Sequence, residues 1–231
     1  MSRQAVLVFD LDGTLYRSTA ACLHYAQGIA ETLAADARAP YLAAVESFLR
    51  GGEGIDASDG WEAAVLLAGG ERGASRAFAE PFSRTREFML SDACELEIPD
   101  GLVELLERTA GTSRRVLVSN TPSFGVMPLL ARIGLTTLFD EIVCDAAKPQ
   151  GFAERLRGYA QIEALPERSV LSIGDHFVND IAPALEAGCS TAYINPFGVG
   201  PRGEADLEAS RFEGLLDEID AWLREPARAA A

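Results

Sequence analysis

Short apolar runs alternate with longer stretches of helical spacing along most of this chain. Residues 6–9, 116–118, 142–144, 170–173 and 191–194 read as buried strands, each bounded by polar or turn-forming positions. Between them, residues 101–109, 124–133 and 181–187 carry helical periodicity, as does a segment that begins soon after Pro149. Residues 207–223 predict a closing amphipathic helix, and the tail from Pro226 predicts a frayed end. Strands that are apolar on both faces and separated by helices imply a parallel sheet covered on two sides. The expected class is α/β, with a Rossmann-like sheet.

One long interval breaks this alternation. From Ser18 to about Glu95 the sequence is alanine-rich and helical in spacing over residues 20–35, 40–49, 61–67 and 74–90, with no strand-like alternation. Gly51, Gly52 and Gly54, then Gly69, Gly70 and Gly73, punctuate its loops, and sheet-type patterning resumes after the Pro99-Asp100-Gly101 turn. The predicted organisation is an α/β core of residues 1–16 and 96–231, interrupted by a small all-helical domain of residues 17–95. The interval from Asp12 to Ser119 is far longer than that from Ser119 to Lys148, so only the first has room for an insert.

Composition narrows the partners. With 231 residues the chain can bury a substantial core. Its formal net charge is −15 and its arginines are dispersed, which disfavours nucleic acid and anionic membranes. No apolar run is long enough to span a bilayer and the amino terminus enters a strand at once, so a cytoplasmic protein is expected. Cys22, Cys94, Cys144 and Cys189 are widely spaced, without CxxC or Cys/His patterns, and read as reduced thiols.

Candidate chemistry gathers at the ends of the strands. Asp10 and Asp12 end the first apolar run, where unpaired charge is expensive to desolvate unless something compensates it. Ser119, Lys148, Asp175 and Asp180 each follow a later strand. In a parallel sheet those carboxyl ends share one edge, which is where open α/β sheets bind ligands. Lys148 is the single lysine among twenty Lys and Arg residues, and its compact ammonium suits a place between a carboxylate and a phosphoryl oxygen.

The DLDGT stretch at Asp10–Thr14, Ser119, Lys148-Pro149 and GDHFVND at Gly174–Asp180 together resemble the four signatures of the haloacid dehalogenase-like hydrolases. The resemblance spans nearly the whole chain and is greatest to the phosphatase branch with a helical first-position cap, of phosphoglycolate phosphatase type. It implies an enzyme in which Asp10 attacks phosphorus to form an aspartyl-phosphate, while Asp12 protonates the leaving oxygen and then deprotonates water. It further implies Mg²⁺ held by Asp10, Asp175 and the Asp12 carbonyl. Gly13, Thr14, Ser119, the Asn120 amide and Lys148 would bind phosphate, with Asn179 or Asp180, the latter favoured, in support.

An aspartate at the Asp12 position favours phosphomonoester hydrolysis, because dehalogenases of this type lack it: a halide departs without a proton. A phosphonatase would need a cap lysine, and residues 17–95 contain none. A phosphosugar mutase using the same aspartate pair and a binding-only member remain as alternatives. The expected partner is a small phosphorylated metabolite, such as phosphoglycolate, a sugar phosphate or a nucleoside monophosphate. Tyr16, Arg17, His24, Tyr25, Arg84 and Arg86 are candidate pocket residues, Arg17 foremost because it follows the loop at once. His24 and His176 read as packing and loop-shaping residues, and Trp61, Phe78, Phe82 and Phe88 as core or dimer contacts. The chain is expected to be a monomer or a cap-mediated homodimer.

Overall fold

The computed structural model describes residues 3–51, 55–71, 78–201 and 203–225. In chain order, β1 (Ala5–Phe9) leads into α1 (Thr19–Ala30), α2 (Ala35–Leu49), α3 (Gly60–Leu67) and α4 (Ala79–Phe88). Then come α5 (Leu102–Arg108), β2 (Ser113–Val118), α6 (Ser123–Arg132), β3 (Glu141–Val143), α7 (Phe152–Glu163) and β4 (Val170–Gly174). α8 (Ala182–Glu186), β5 (Ser190–Ile194), β6 (Leu207–Ala209) and α9 (Leu216–Arg224) complete it. Residue contacts divide the chain into two compact units, Met1–Arg17 with Ile98–Ala231, and Ser18–Glu97.

The first unit is a parallel sheet in the order β3-β2-β1-β4-β5-β6. All five residues of β1 are buried, as a central strand covered on both faces requires. Val6, Val8, Val116, Val118 and Val170 pack on one side against Phe152, Leu156 and Tyr159 of α7. Phe9 stands opposite Leu117 of β2 and Ile173 of β4, so the residues that follow these three strands emerge together. The direction of strand succession reverses at β1, which makes that edge the switch point where open α/β sheets take ligands.

Two departures from the expected elements have electrostatic causes. β2 begins at Ser113, not at 116, because its two arginines are neutralised inside the fold. Arg114 binds Glu141 at 2.7 Å and Glu163 at 3.1 Å, and Arg115 binds Asp140 at 3.1 Å and the Leu106 carbonyl at 3.0 Å. The expected helix over 207–223 is instead β6, a 3₁₀ turn (Phe212–Leu215) and α9. Asp206 diverts the chain into the sheet by accepting from Thr191 N at 2.9 Å and from Arg168 at 2.6 Å.

The elements of the second unit, among its described residues, are the helices α1 to α4. Ser18 caps α1 by accepting from Ala21 N at 3.1 Å, and Asp59 caps α3 by accepting from Glu62 N at 2.7 Å. α2 starts at Ala35, ahead of the expected 40, with Pro40 inside the helix. Tyr25, Ile29, Tyr41, Val45 and Val65 form its core, with Trp61 and Phe82 packed alongside. Gly52, Gly54, Gly73, residues 74–77 of the expected fourth helix and the tail from Pro226 lie outside the described residues. No helix among the described residues is long and apolar enough to cross a membrane.

Burial alone would raise the Asp206 carboxyl, but hydrogen bonds from Arg168 and Thr191 hold it below the usual range. Its stabilising contribution is therefore complete above the carboxyl pKa of the unfolded chain and disappears as pH falls through the lower folded value. Asp206→Ala is expected to cost about 1–2 kcal/mol at neutral pH. In urea unfolding followed by circular dichroism, that difference from the parent should shrink below about pH 4.

Candidate active site

Asp10 leaves β1 with its amide hydrogen-bonded to the Ile173 carbonyl at 2.9 Å, which fixes the start of the loop against β4. Carboxylate oxygens of Asp10, Asp175 and Asp180 lie within 4.8 Å of one another. Lys148 Nζ sits between two of them, 2.7 Å from Asp10 Oδ1 and 2.5 Å from Asp180 Oδ1. Its side chain is 2% exposed. Burial opposes its charge, yet Asp10 and Asp180 outweigh that penalty and hold the ammonium well above the ordinary lysine range.

Asp10 shows what one ammonium leaves uncompensated. Burial pushes its carboxyl up, Lys148 pulls it down, and Asp180 and Asp12 push it up again, to about 7. A buried group of three carboxylates with one cation carries excess negative charge, and its donors are all hard oxygens. That donor set fits Mg²⁺.

Backbone economy makes this crowding possible. Gly13 has φ +84°, and a Cβ there would lie 1.8 Å from Asp175 Oδ2. Gly174 plays the same part for Asp180, whose Oδ2 would lie 2.4 Å from a Cβ. Asp180 Oδ2 also accepts from His176 N at 3.1 Å, and its carbonyl accepts from Ser172 Oγ at 2.9 Å. Asp180 thus joins the group and contacts Lys148, whereas Asn179 N donates to His176 Nδ1 at 3.3 Å.

Asn120 has a part that the sequence did not suggest. Its side chain holds both polar groups of the Lys148 backbone, donating to the carbonyl at 2.9 Å and accepting from the amide at 2.6 Å. Ser119, 1% exposed, receives a hydrogen bond on Oγ from Thr121 N at 3.0 Å. Thr14 is fully buried, and among the described residues its hydroxyl has no hydrogen-bond partner.

Asp12 points elsewhere. Its carboxyl is outside the Asp10–Asp175–Asp180 group and accepts from the Tyr16 hydroxyl on Oδ1 and from Thr121 Oγ1, at 2.9 Å, on Oδ2. Thr121 escaped the sequence reading altogether. Its only signal was its place two residues after Ser119. Tyr16 belongs to the sheet unit, is 2% exposed and is a partner of Asp12.

The other candidate substrate residues are largely committed. Arg17 binds Glu213 through both terminal nitrogens, at 3.1 and 2.9 Å. Within the helical unit, Tyr25 is 1% exposed in the core and Arg84 pairs with Glu31 and Glu80. Arg86 is buried, its guanidinium over the rings of Phe82 and Trp61. Half-buried His24 lies 2.9 Å from Thr85 Oγ1 and stacks on Phe88, and burial lowers its pKa.

The model of the haloacid dehalogenase-like hydrolase family matches residues 7–185, from β1 through the helical insert and past Asp180. The chain is a haloacid dehalogenase-like hydrolase. No curated protein matches the hydrolase. Among solved structures it is similar to the HAD-hydrolase YfnB of Bacillus subtilis in a magnesium-bound form, at 21% identity and TM-score 0.62, covering 96% of this chain and 99% of that one. A protein described as a predicted phosphoglycolate phosphatase, from Haemophilus somnus 129pt, gives 22% identity and TM-score 0.61, with 95% and 99% covered. The 2-haloacid dehalogenase of Pseudomonas syringae pv. Tomato DC3000 gives 19% and 0.55, with 96% and 100% covered. At these identities the likeness establishes the fold of the hydrolase. Family membership and the clustered aspartates fit the Mg²⁺-dependent aspartyl-phosphate mechanism in general.

Two substitutions check this geometry. Lys148→Met leaves Asp10 and Asp180 buried without their cation and is expected to destabilise the hydrolase by about 3–5 kcal/mol in chemical denaturation. Gly13→Ala forces Asp175 aside and is expected to weaken Mg²⁺ binding about 10–100-fold by isothermal titration calorimetry.

Proposed function

We propose that the hydrolase is a phosphatase for a small phosphomonoester, with residues 1–16 and 96–231 carrying the chemistry and residues 17–95 acting as a substrate-selecting cap. The observation that carries this reading is the pair of aspartates two residues apart in different surroundings. Asp10 is paired with Lys148 inside the carboxylate group, and Asp12 is held outside it.

Asp10 supplies the nucleophile. An oxygen of its carboxylate attacks phosphorus, the bond from phosphorus to the leaving oxygen breaks, and Asp12 gives that oxygen a proton. In the second half Asp12 takes a proton from water, the water oxygen attacks phosphorus, and the bond to Asp10 breaks. Lys148 opposes the protonation that burial favours at Asp10 and offers positive charge to the phosphoryl group.

Ser119 Oγ and the Asn120 backbone amide supply donors for the remaining phosphoryl oxygens, while the Gly13 amide donates to the Tyr16 carbonyl at 3.2 Å and the Thr14 amide to the Leu11 carbonyl at 3.4 Å. Asp10, Asp175 and the Asp12 carbonyl would hold Mg²⁺, which when bound neutralises phosphate and carboxylate charge. Asp180 supports Lys148. The likeness to a predicted phosphoglycolate phosphatase makes 2-phosphoglycolate a sensible member of the first substrate panel.

Phosphate release should be measured across small phosphomonoesters with and without Mg²⁺, beside Asp10→Asn. Turnover that requires Mg²⁺ and falls at least about a thousandfold in Asp10→Asn is expected, since the variant cannot form the ester intermediate. No release from any member of the panel would overturn the phosphatase reading.

A further inference from the structure

Asp12 is held by two hydroxyl groups, and each comes from a residue that the fold fixes independently. The Tyr16 carbonyl accepts from Gly13 N at 3.2 Å, and Tyr16 forms an isolated β-bridge with Asp12, so its backbone closes the loop that carries both aspartates. Thr121 lies beyond β2. Its amide donates to Ser119 Oγ at 3.0 Å and its carbonyl accepts from Asp145 N at 3.2 Å. Tyr16 is 2% and Thr121 5% exposed, so neither side chain has room to turn to water.

We propose that Tyr16 and Thr121 are positioning residues for Asp12: by binding both oxygens of its carboxyl group they set the orientation in which it serves the leaving oxygen and then the water. This deepens the phosphatase reading and rests on the acid–base role given there to Asp12. The physical need is specific. Asp10, Asp175 and Asp180 repel a fourth carboxylate, and a single methylene with two rotatable bonds does not by itself keep Asp12 away from them. Two donors on opposite oxygens fix the plane of the carboxyl group as well as its direction, which a single contact does not do. A proton-transfer group must be aligned to work, and misplacement by about 1 Å can cost a hundredfold in rate.

The test exploits leaving groups that differ in their need for a proton. Tyr16→Phe and Thr121→Val remove one hydroxyl each and preserve shape, and Thr121→Ser retains the hydroxyl. With the alkyl phosphomonoester turned over fastest in the panel, Tyr16→Phe and Thr121→Val are expected to lower kcat by about tenfold or more, with KM within about twofold. Thr121→Ser is expected to recover kcat to within about threefold of the parent. p-Nitrophenyl phosphate loses its phenolate without a proton, so Asp10 is still phosphorylated quickly while water attack is slow. Rapid mixing should then show a burst of about one nitrophenolate per site in both variants.

Unchanged kcat, or equal losses on the two substrates without a burst, would overturn the proposal. Asp12→Asn separates the two possible failures. A selective loss and burst in Asp12→Asn, absent from Tyr16→Phe and Thr121→Val, rejects the positioning role and keeps the phosphatase reading. Loss of phosphate release in the parent itself rejects that reading.

Discussion

A buried ammonium between two carboxylates organises the sheet unit. Lys148 reaches Asp10 from beyond β3 and Asp180 from beyond β4, so it joins three separate parts of the chain at one point. Neither aspartate is easily kept in that interior without it, and Lys148 would not stay charged there without them. The apolar strands beneath provide rigidity and set the spacing, but they do not choose which polar groups meet. Charge neutralisation makes that choice. It is incomplete, with three carboxylates around one cation, and that donor set fits a second positive charge.

The support around this centre is mostly backbone and amide. Asn120 fixes the peptide of Lys148, and His176 N and Ser172 Oγ fix Asp180. Each of these contacts positions a charged group without adding charge of its own. A site already overloaded with carboxylates is therefore oriented by neutral donors, which leaves its electrostatic balance to Lys148 and to whatever cation binds.

Much of this was legible in the sequence, for reasons that can be separated. β1 is a continuous apolar run and β4 is apolar but for Ser172, and the residues after them could hardly be anything but strand-end polar groups. Arg114 and Arg115 concealed the start of β2, because their neutralising partners Asp140, Glu141 and Glu163 lie far along the chain. β6 is only three residues long and precedes an amphipathic helix, so the helical pattern absorbed it. Asp10, Lys148 and Asp175 were conspicuous as charges at strand ends. Tyr16 and Thr121 were not, since a hydroxyl at such a position is as compatible with packing as with holding a carboxylate. Arg17 follows the loop at once, and nothing near it in the sequence announces its pairing with Glu213, nearly two hundred residues away.

The contact between Gly13 and Asp175 couples two positions far apart in the sequence. With a Cβ placed 1.8 Å from the carboxylate oxygen, no side chain at 13 is compatible with the present place of Asp175. A shorter residue at 175 would make room only by giving up its carboxylate. The loop after β1 and the turn after β4 are thus fitted to each other at this one contact, and any side chain at 13 displaces the Asp175 carboxylate.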